Sequence, residues 1–235
     1  MNAPLIEIAS VVKAYGGPQP LRLSEFRLDR GDRVTLTGFD AGAAETLIHL
    51  ITGAALPDEG DVRIEGTSTR GIATDTAWLS SLDRFGLVTE RAVLIEKLTV
   101  ADNLALPLTL SIDPVPDSVR PQVEQLARNV ELPLDRLTVV VEKLTPAERA
   151  RLHLARAIAT NPAVLLFEHG TTALDGAAAA SLGATLKRIA DARGLAWIVF
   201  SEDERFARAA GGKRLRLDSA SGKLLETGLL KRLFS

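Results

Sequence analysis

The chain has 235 residues, 46% of them hydrophobic and 25% charged, with a net charge of −2 and no cysteine. The hydrophobic share supports one sizeable core, and the near-neutral charge gives no electrostatic footing for a nucleic-acid partner. No disulfide framework is available, and no apolar run approaches a membrane span or a secretory leader, so the expected setting is the cytoplasm.

In chain order, residues 1–35 read as short strands punctuated by Gly16-Gly17-Pro18 and Arg30-Gly31-Asp32. The strand formers Arg33-Val-Thr-Leu-Thr37 lead into Gly38-Phe-Asp-Ala-Gly-Ala-Ala-Glu-Thr46, and a helix expected over 46–53 leads out. Residues 60–90 read as strands, with a turn at Asp58-Glu59-Gly60. Residues 99–160 read as mostly helical, broken by Asp113-Pro-Val-Pro-Asp-Ser118, with Ser118 capping a helix that runs through Arg128. Residues 164–167 and 196–201 are apolar runs suited to strands buried on both faces, separated by an alanine-rich helix over 176–193.

Strand, loop and helix in that order form the setting of a phosphate loop, in which backbone N–H groups and a helix N-terminus face a phosphate. The pattern asks for G-x-x-x-x-G-K-[ST]. After Gly38 the second glycine falls on Ala43, the lysine on Ala44 and the metal-binding hydroxyl on Glu45. A register slipped by one brings Thr46 to the metal position and leaves Glu45 where the cation belongs. Asp40 and Glu45 add negative charge where a polyanion would sit. Taken alone, the segment also reads as a strand-to-helix turn in which those carboxylates support the helix start. Thr145-Pro-Ala-Glu148 reads as another helix start, with an N-cap threonine, proline in the first turn and glutamate at the third position.

Beyond the loop, Ile51-Thr-Gly-Ala-Ala-Leu-Pro-Asp-Glu-Gly-Asp-Val-Arg-Ile-Glu-Gly66, Leu98-Thr-Val-Ala-Asp-Asn-Leu-Ala-Leu-Pro107 and Val164-Leu-Leu-Phe-Glu-His-Gly-Thr-Thr-Ala-Leu-Asp175 follow in order. With Ile6-Glu-Ile-Ala-Ser-Val-Val-Lys-Ala-Tyr15, they resemble an ATP-binding-cassette (ABC) transporter ATPase subunit along nearly the whole chain. The resemblance implies an α/β fold. Its P-loop NTPase-like core is a mixed sheet with flanking helices and an N-terminal antiparallel part over 1–90 and 160–235, with a helical subdomain inserted over 91–159.

The resemblance also assigns positions. Tyr15 falls where the family stacks an aromatic ring on adenine. Gly38, Asp40, Gly42, Ala44, Glu45 and Thr46 occupy the phosphate loop, and Glu90 stands in the place of the Q-loop glutamine. Thr145 replaces the signature serine, with Pro146 and Ala147 on its glycines. Glu168 and His169 replace the Walker B aspartate and the catalytic glutamate, Asp175 keeps the D-loop, and Glu202 replaces the H-loop histidine. Glu168 and Glu90 are the metal candidates the sequence offers. Lys213, Arg214 and Arg216 read as a solvated basic face before a short terminal helix within 211–235.

With the phosphate-contacting positions altered together, the expectation is a cassette that has lost hydrolysis and serves a structural or regulatory role, with neither ATP nor metal as a working cofactor. It would dock through residues near 90–110 on a transmembrane permease at the inner membrane, in a system resembling envelope lipid traffic. It would pair with itself or with an active cassette. The alternative is an active ATPase with atypical residues, using ATP and Mg2+, with Glu168 on the metal and His169 as base. A third option is a soluble scaffold that reuses the fold.

Overall fold

The structure, a computed structural model, describes residues 3–72, 74–89, 92–112 and 114–227. Among these residues ten strands form two sheets. β1 (Ile6–Lys13), β2 (Leu21–Leu28), β4 (Glu59–Ile64) and β5 (Thr67–Ser68) make an antiparallel sheet in the order β2-β1-β4-β5. The second sheet contains β3 (Arg33–Thr37), β6 (Phe85–Val88), β7 (Val164–Glu168), β8 (Ala196–Phe200), β9 (Lys213–Asp218) and β10 (Lys223–Glu226). Its order is β10-β9-β3-β8-β7-β6, parallel except for the β9–β10 hairpin.

The runs VLLFE and AWIVF are buried at every position, as expected of parallel strands covered on both faces. Alternation along them divides the core. Leu165, Phe167, Trp197 and Val199 pack with Leu152, Leu182 and Leu186 of the helices on one side. Leu166, Ile198 and Phe200 pack with Leu47, Leu50 and Ile51 and with Ile6 and Ile8 of the antiparallel sheet on the other.

Among the described residues seven α-helices accompany the sheets: α1 (Ala41–Thr52), α2 (Asp75–Leu82), α3 (Val100–Ala105), α4 (Arg120–Asn129), α5 (Pro146–Ala157), α6 (Gly176–Arg193) and α7 (Glu204–Ala210). α6 has the limits the sequence implied, with Asp175 as N-cap accepting from the N–H groups of Ala177 and Ala178. α5 opens with the expected capping box. The Glu148 carboxylate accepts from Thr145 N–H at 2.9 Å, and Thr145 Oγ1 accepts from Glu148 N–H at 3.3 Å.

Other expectations need correction. α1 starts at Ala41 rather than at residue 46, because Asp40 caps it. Within the region read as strands, α2 intervenes; none of its residues is buried, so it lacks the apolar stripe that marks a helix in sequence. Ser118 does not cap α4; the N-cap position is Val119, with no side-chain bond and a proline in the first turn. The expected turn at Asp58-Glu59-Gly60 is instead the entry to β4. There β1 slips register between Ala9 and Val12, and a β-carbon on Gly60 would lie 2.3 Å from the Ser10 carbonyl oxygen. The terminal helix proposed near the end of the chain lies outside the described residues.

Phe167 stacks on Phe206 with ring centroids 5.5 Å apart and is fully buried. Phe167→Ala should therefore cost about 3–5 kcal/mol of unfolding free energy, measurable as a lower urea midpoint.

Candidate functional site

The site forms where the carboxyl ends of the parallel strands meet, the usual place for a ligand on such a sheet. Register brings its parts together. Leu36 pairs with Phe200, and Phe200 pairs with Glu168, so the residues leaving β3, β8 and β7 emerge side by side. These are Gly38, Glu202 and His169. Glu90, which follows β6, lies outside the described residues.

The loop after β3 is short and closed on itself. Gly38 has φ 78°, and a β-carbon there would stand 3.0 Å from the Leu217 carbonyl oxygen, so glycine is required. Its N–H donates to Glu202 Oε1 at 2.7 Å. Asp40 Oδ1 accepts from Ala43 N–H at 2.7 Å, while Ala44 N–H donates to the Asp40 carbonyl at 2.9 Å. Thr46 Oγ1 donates to the Gly42 carbonyl at 2.7 Å, turned back on its own helix. Glu45 faces His49 one turn along at 3.9 Å. Ala44 is 0% exposed and belongs to the core cluster around Leu47 and Ile51. The missing lysine is thus replaced by a packing residue.

Tyr15 lies over this loop. Its hydroxyl donates to Asp40 Oδ2 at 3.1 Å, and a β-carbon on Gly42 would stand 3.0 Å from its ring. Partial burial and the neighbouring Asp40 carboxylate raise its pKa above the usual phenol value. The ring expected on adenine is seated against the loop.

On β7, Glu168 is 6% exposed, and His169 adopts φ 45°, a strained conformation for any residue but glycine. His169 N–H donates to the Phe200 carbonyl at 3.1 Å, and its Nε2 is buried with no hydrogen-bond partner among the described residues. Both residues line a cleft of about 270 Å³ closed on the far side by Arg149 and His153 of α5. Arg149 is committed to Glu96, with Nη2 2.7 Å from Oε2. Thr145 Oγ1 donates to Glu148 at 2.9 Å, and Asp175 caps α6, so both are engaged in helix starts.

The arrangement does not fit a triphosphate as the family normally holds one. The first loop amide faces Glu202, two carboxylates border the loop, and the position of the usual cation is core. Among the described residues, no group of three or more His, Asp or Glu is set to hold a metal ion. Arg216 on β9 lies opposite Thr37, and its Cγ would be 3.4 Å from a β-carbon on Gly38. Sequence reasoning set Arg216 aside as part of a solvated face and missed the Glu202–Gly38 bond. Both depend on strand neighbours far away in the chain.

His153 titrates abnormally. Burial, then Arg156 and Arg149, push its pKa from 6.5 down to about 4, opposed by Glu96. The folded protein keeps it neutral while the unfolded chain protonates below about pH 6.5, so the unfolded state binds more protons between pH 6.5 and 4. Its burial thus favours folding fully above that window, and the advantage is lost as pH falls through it. Between pH 7 and pH 5 the chain should lose roughly 2 kcal/mol more stability than His153→Gln does in urea denaturation.

An α/β cassette with a phosphate-loop setting at its carboxyl edge defines the class. The family described as "ABC transporter" matches residues 21–172, and the chain belongs to it. It is 28% identical over 234 residues to a protein of Brucella abortus (strain 2308) named "Methionine import ATP-binding protein MetN", a match covering 100% of this chain and 62% of that one. A protein of the same name in Leifsonia xyli is 28% identical over 233 residues, covering 98% and 67%. The chain spans about three-fifths of the length of the first relatives it matches. Among solved structures it resembles the dimeric ATP-binding cassette MJ0796 in a post-hydrolysis state with ADP and Pi, with a TM-score of 0.75, 24% identity and 94% and 97% coverage. It also resembles cbiO1 of Clostridium perfringens, part of the cbiONQ transporter complex, with a TM-score of 0.77, 14% identity and 99% and 92% coverage. These likenesses establish the ABC ATPase fold.

The comparisons overturn the expectation of a cassette without hydrolysis in a structural or regulatory role. Relatives aligned along the whole chain are named as ATP-binding proteins, nothing shows a loss of ATPase activity, and their named cargo is methionine rather than lipid. The expectation rested on the joint alteration of the phosphate loop, Glu90, Thr145-Pro146-Ala147, Glu168, His169 and Glu202, and the relatives' names outweigh it.

Proposed function

We propose that the chain is the ATP-binding and ATP-hydrolysing subunit of an ABC transporter, with residues of its own at the positions that normally hold the nucleotide. The observation that carries this reading is the alignment of the entire chain with proteins named as ATP-binding import subunits. In support, the carboxyl edge of the sheet keeps Gly38 and Asp175 in the family's order, Glu168 and His169 stand in the places of its two acidic residues, and Arg216 stems from the strand beside the loop. The cargo we assign by analogy with those relatives is a small amino acid of the methionine kind. Turnover depends on Glu168 and on His169, whose buried, unpartnered Nε2 suits a proton acceptor.

The partner we assign is a transmembrane permease, with a second cassette completing the assembly. The described residues contain no helix long and apolar enough to cross a membrane, so the subunit would reach the cytoplasmic face through that partner. The docking surface we assign lies in the segment before and after α3. Val93, Ile95 and Leu110 are 67%, 44% and 93% exposed there, large apolar side chains left open to solvent. Buried Asn103 holds this segment in shape. Its Nδ2 donates to the carbonyls of Ile95 and Thr99, and its Oδ1 accepts from Ile95 N–H at 2.9 Å.

Titration of the purified protein with ATP, with and without Mg2+, should give saturable binding and measurable turnover. His169→Ala should then reduce turnover about 100-fold, with the circular dichroism spectrum preserved. Undiminished turnover in that variant would remove His169 from the chemistry, and absence of binding would remove the ATP reading. Independently, Val93→Asp combined with Ile95→Asp should abolish co-purification with the permease while leaving ATP binding intact.

A further inference from the structure

Glu202 follows β8 in irregular chain and is exposed, yet its carboxylate is fixed on the first amide of the phosphate loop at 2.7 Å. That amide is fixed in turn. Gly38 holds a positive φ against the Leu217 carbonyl, so its N–H cannot rotate toward a different acceptor without breaking the strand end. An N–H donating to a carboxylate makes a charge-assisted bond, the same kind it would make to a phosphate oxygen. One such donor does not serve both anions well, and a second anion arriving beside Glu202 meets like charge.

The other carboxylate of the loop behaves differently. Asp40 is the N-cap of α1, and its second oxygen accepts from Tyr15, so releasing it frays a helix. Glu202 can swing into solvent without disturbing any helix or strand. The strand neighbour of this turn is Arg216, whose Cγ lies 3.4 Å from the position a β-carbon on Gly38 would take, so its side chain starts from the same end of the sheet.

We propose that Glu202 is an internal competitor of nucleotide phosphate for the Gly38 N–H, so that this one side chain sets the affinity of the subunit for ATP. The inference rests on the ATP-binding reading and goes beyond it by naming the residue that holds binding back.

The test compares the full chain with Glu202→Ala and Glu202→Gln, by calorimetric titration with ATP and by the amide resonance of Gly38 in 15N spectra. Both variants should bind ATP about 10-fold more tightly, equivalent to about 1.4 kcal/mol. The resonance of Gly38 should move on substitution and again on adding ATP. Glutamine preserves the shape and a neutral acceptor, so it serves should the alanine variant fold poorly. If all three proteins bind ATP with equal affinity, or the variants bind more weakly, the competition is overturned and the ATP reading stands. If none binds, both fall. A Gly38 resonance unmoved by either substitution also overturns the competition.

Discussion

The pairing of β3 with β8 is the constraint on which the site depends. Both strands are parallel, central and buried on two faces, and a slip of two residues would carry the end of one past the other by roughly 6–7 Å. A slip of one would turn Leu36 and Phe200 out of one half of the core and into the other. Neither is tolerated in a sheet packed on both sides. The register therefore fixes Gly38 beside Glu202, although 164 positions separate them. The same ladder, carried on to β7, sets His169 N–H against the Phe200 carbonyl. The charges of the site are arranged by apolar packing that never touches them.

Much of this frame was legible in the sequence because its signals are local. Continuous apolar runs marked β7 and β8, an alanine-rich run marked α6, and the Thr145–Glu148 box marked the start of α5. Helix α2 was not legible, since none of its residues is buried; Trp78 ties it to α1, through Nε1 donating to the Thr52 carbonyl at 2.9 Å. The early start of α1 was half legible: Asp40 was recognised as a candidate cap, but the phosphate-loop pattern pulled the expected helix start toward Thr46. The Glu202–Gly38 bond and the position of Arg216 could not be read at all. Each requires the strand order, and sequence spacing carries no trace of it.

The correction about hydrolysis has a physical side. Counting charges at the loop treats Ala44 as a lysine removed from an open cradle. In the structure, residue 44 is 0% exposed and packs in the core with Leu47 and Ile51, so the position faces the interior rather than an open cradle. A lysine returned to that position would have to leave a buried site to reach a phosphate, at a desolvation cost that an exposed position would not carry. The absence of lysine at 44 therefore describes one route to phosphate binding that is closed. It says nothing about routes from neighbouring strands, and β9 brings Arg216 to the same loop.

Backbone amides at the end of a buried strand need acceptors whether or not a ligand is present. In this chain the need at Gly38 is met by Glu202 and that at Ala43 by Asp40, two carboxylates that act as anions held in place by the fold. The two contacts differ in what their release disturbs. Asp40 is local to its helix and stabilises it, so its acceptor role belongs to folding. Glu202 is distant in sequence, exposed and outside any element, so its bond contributes little to the fold and can be exchanged. An acceptor that satisfies the amide in the empty protein and gives way to a stronger anion leaves the loop formed before the ligand arrives. Such a loop has little chain entropy left to lose on binding, and what it gives up instead is the bond to Glu202.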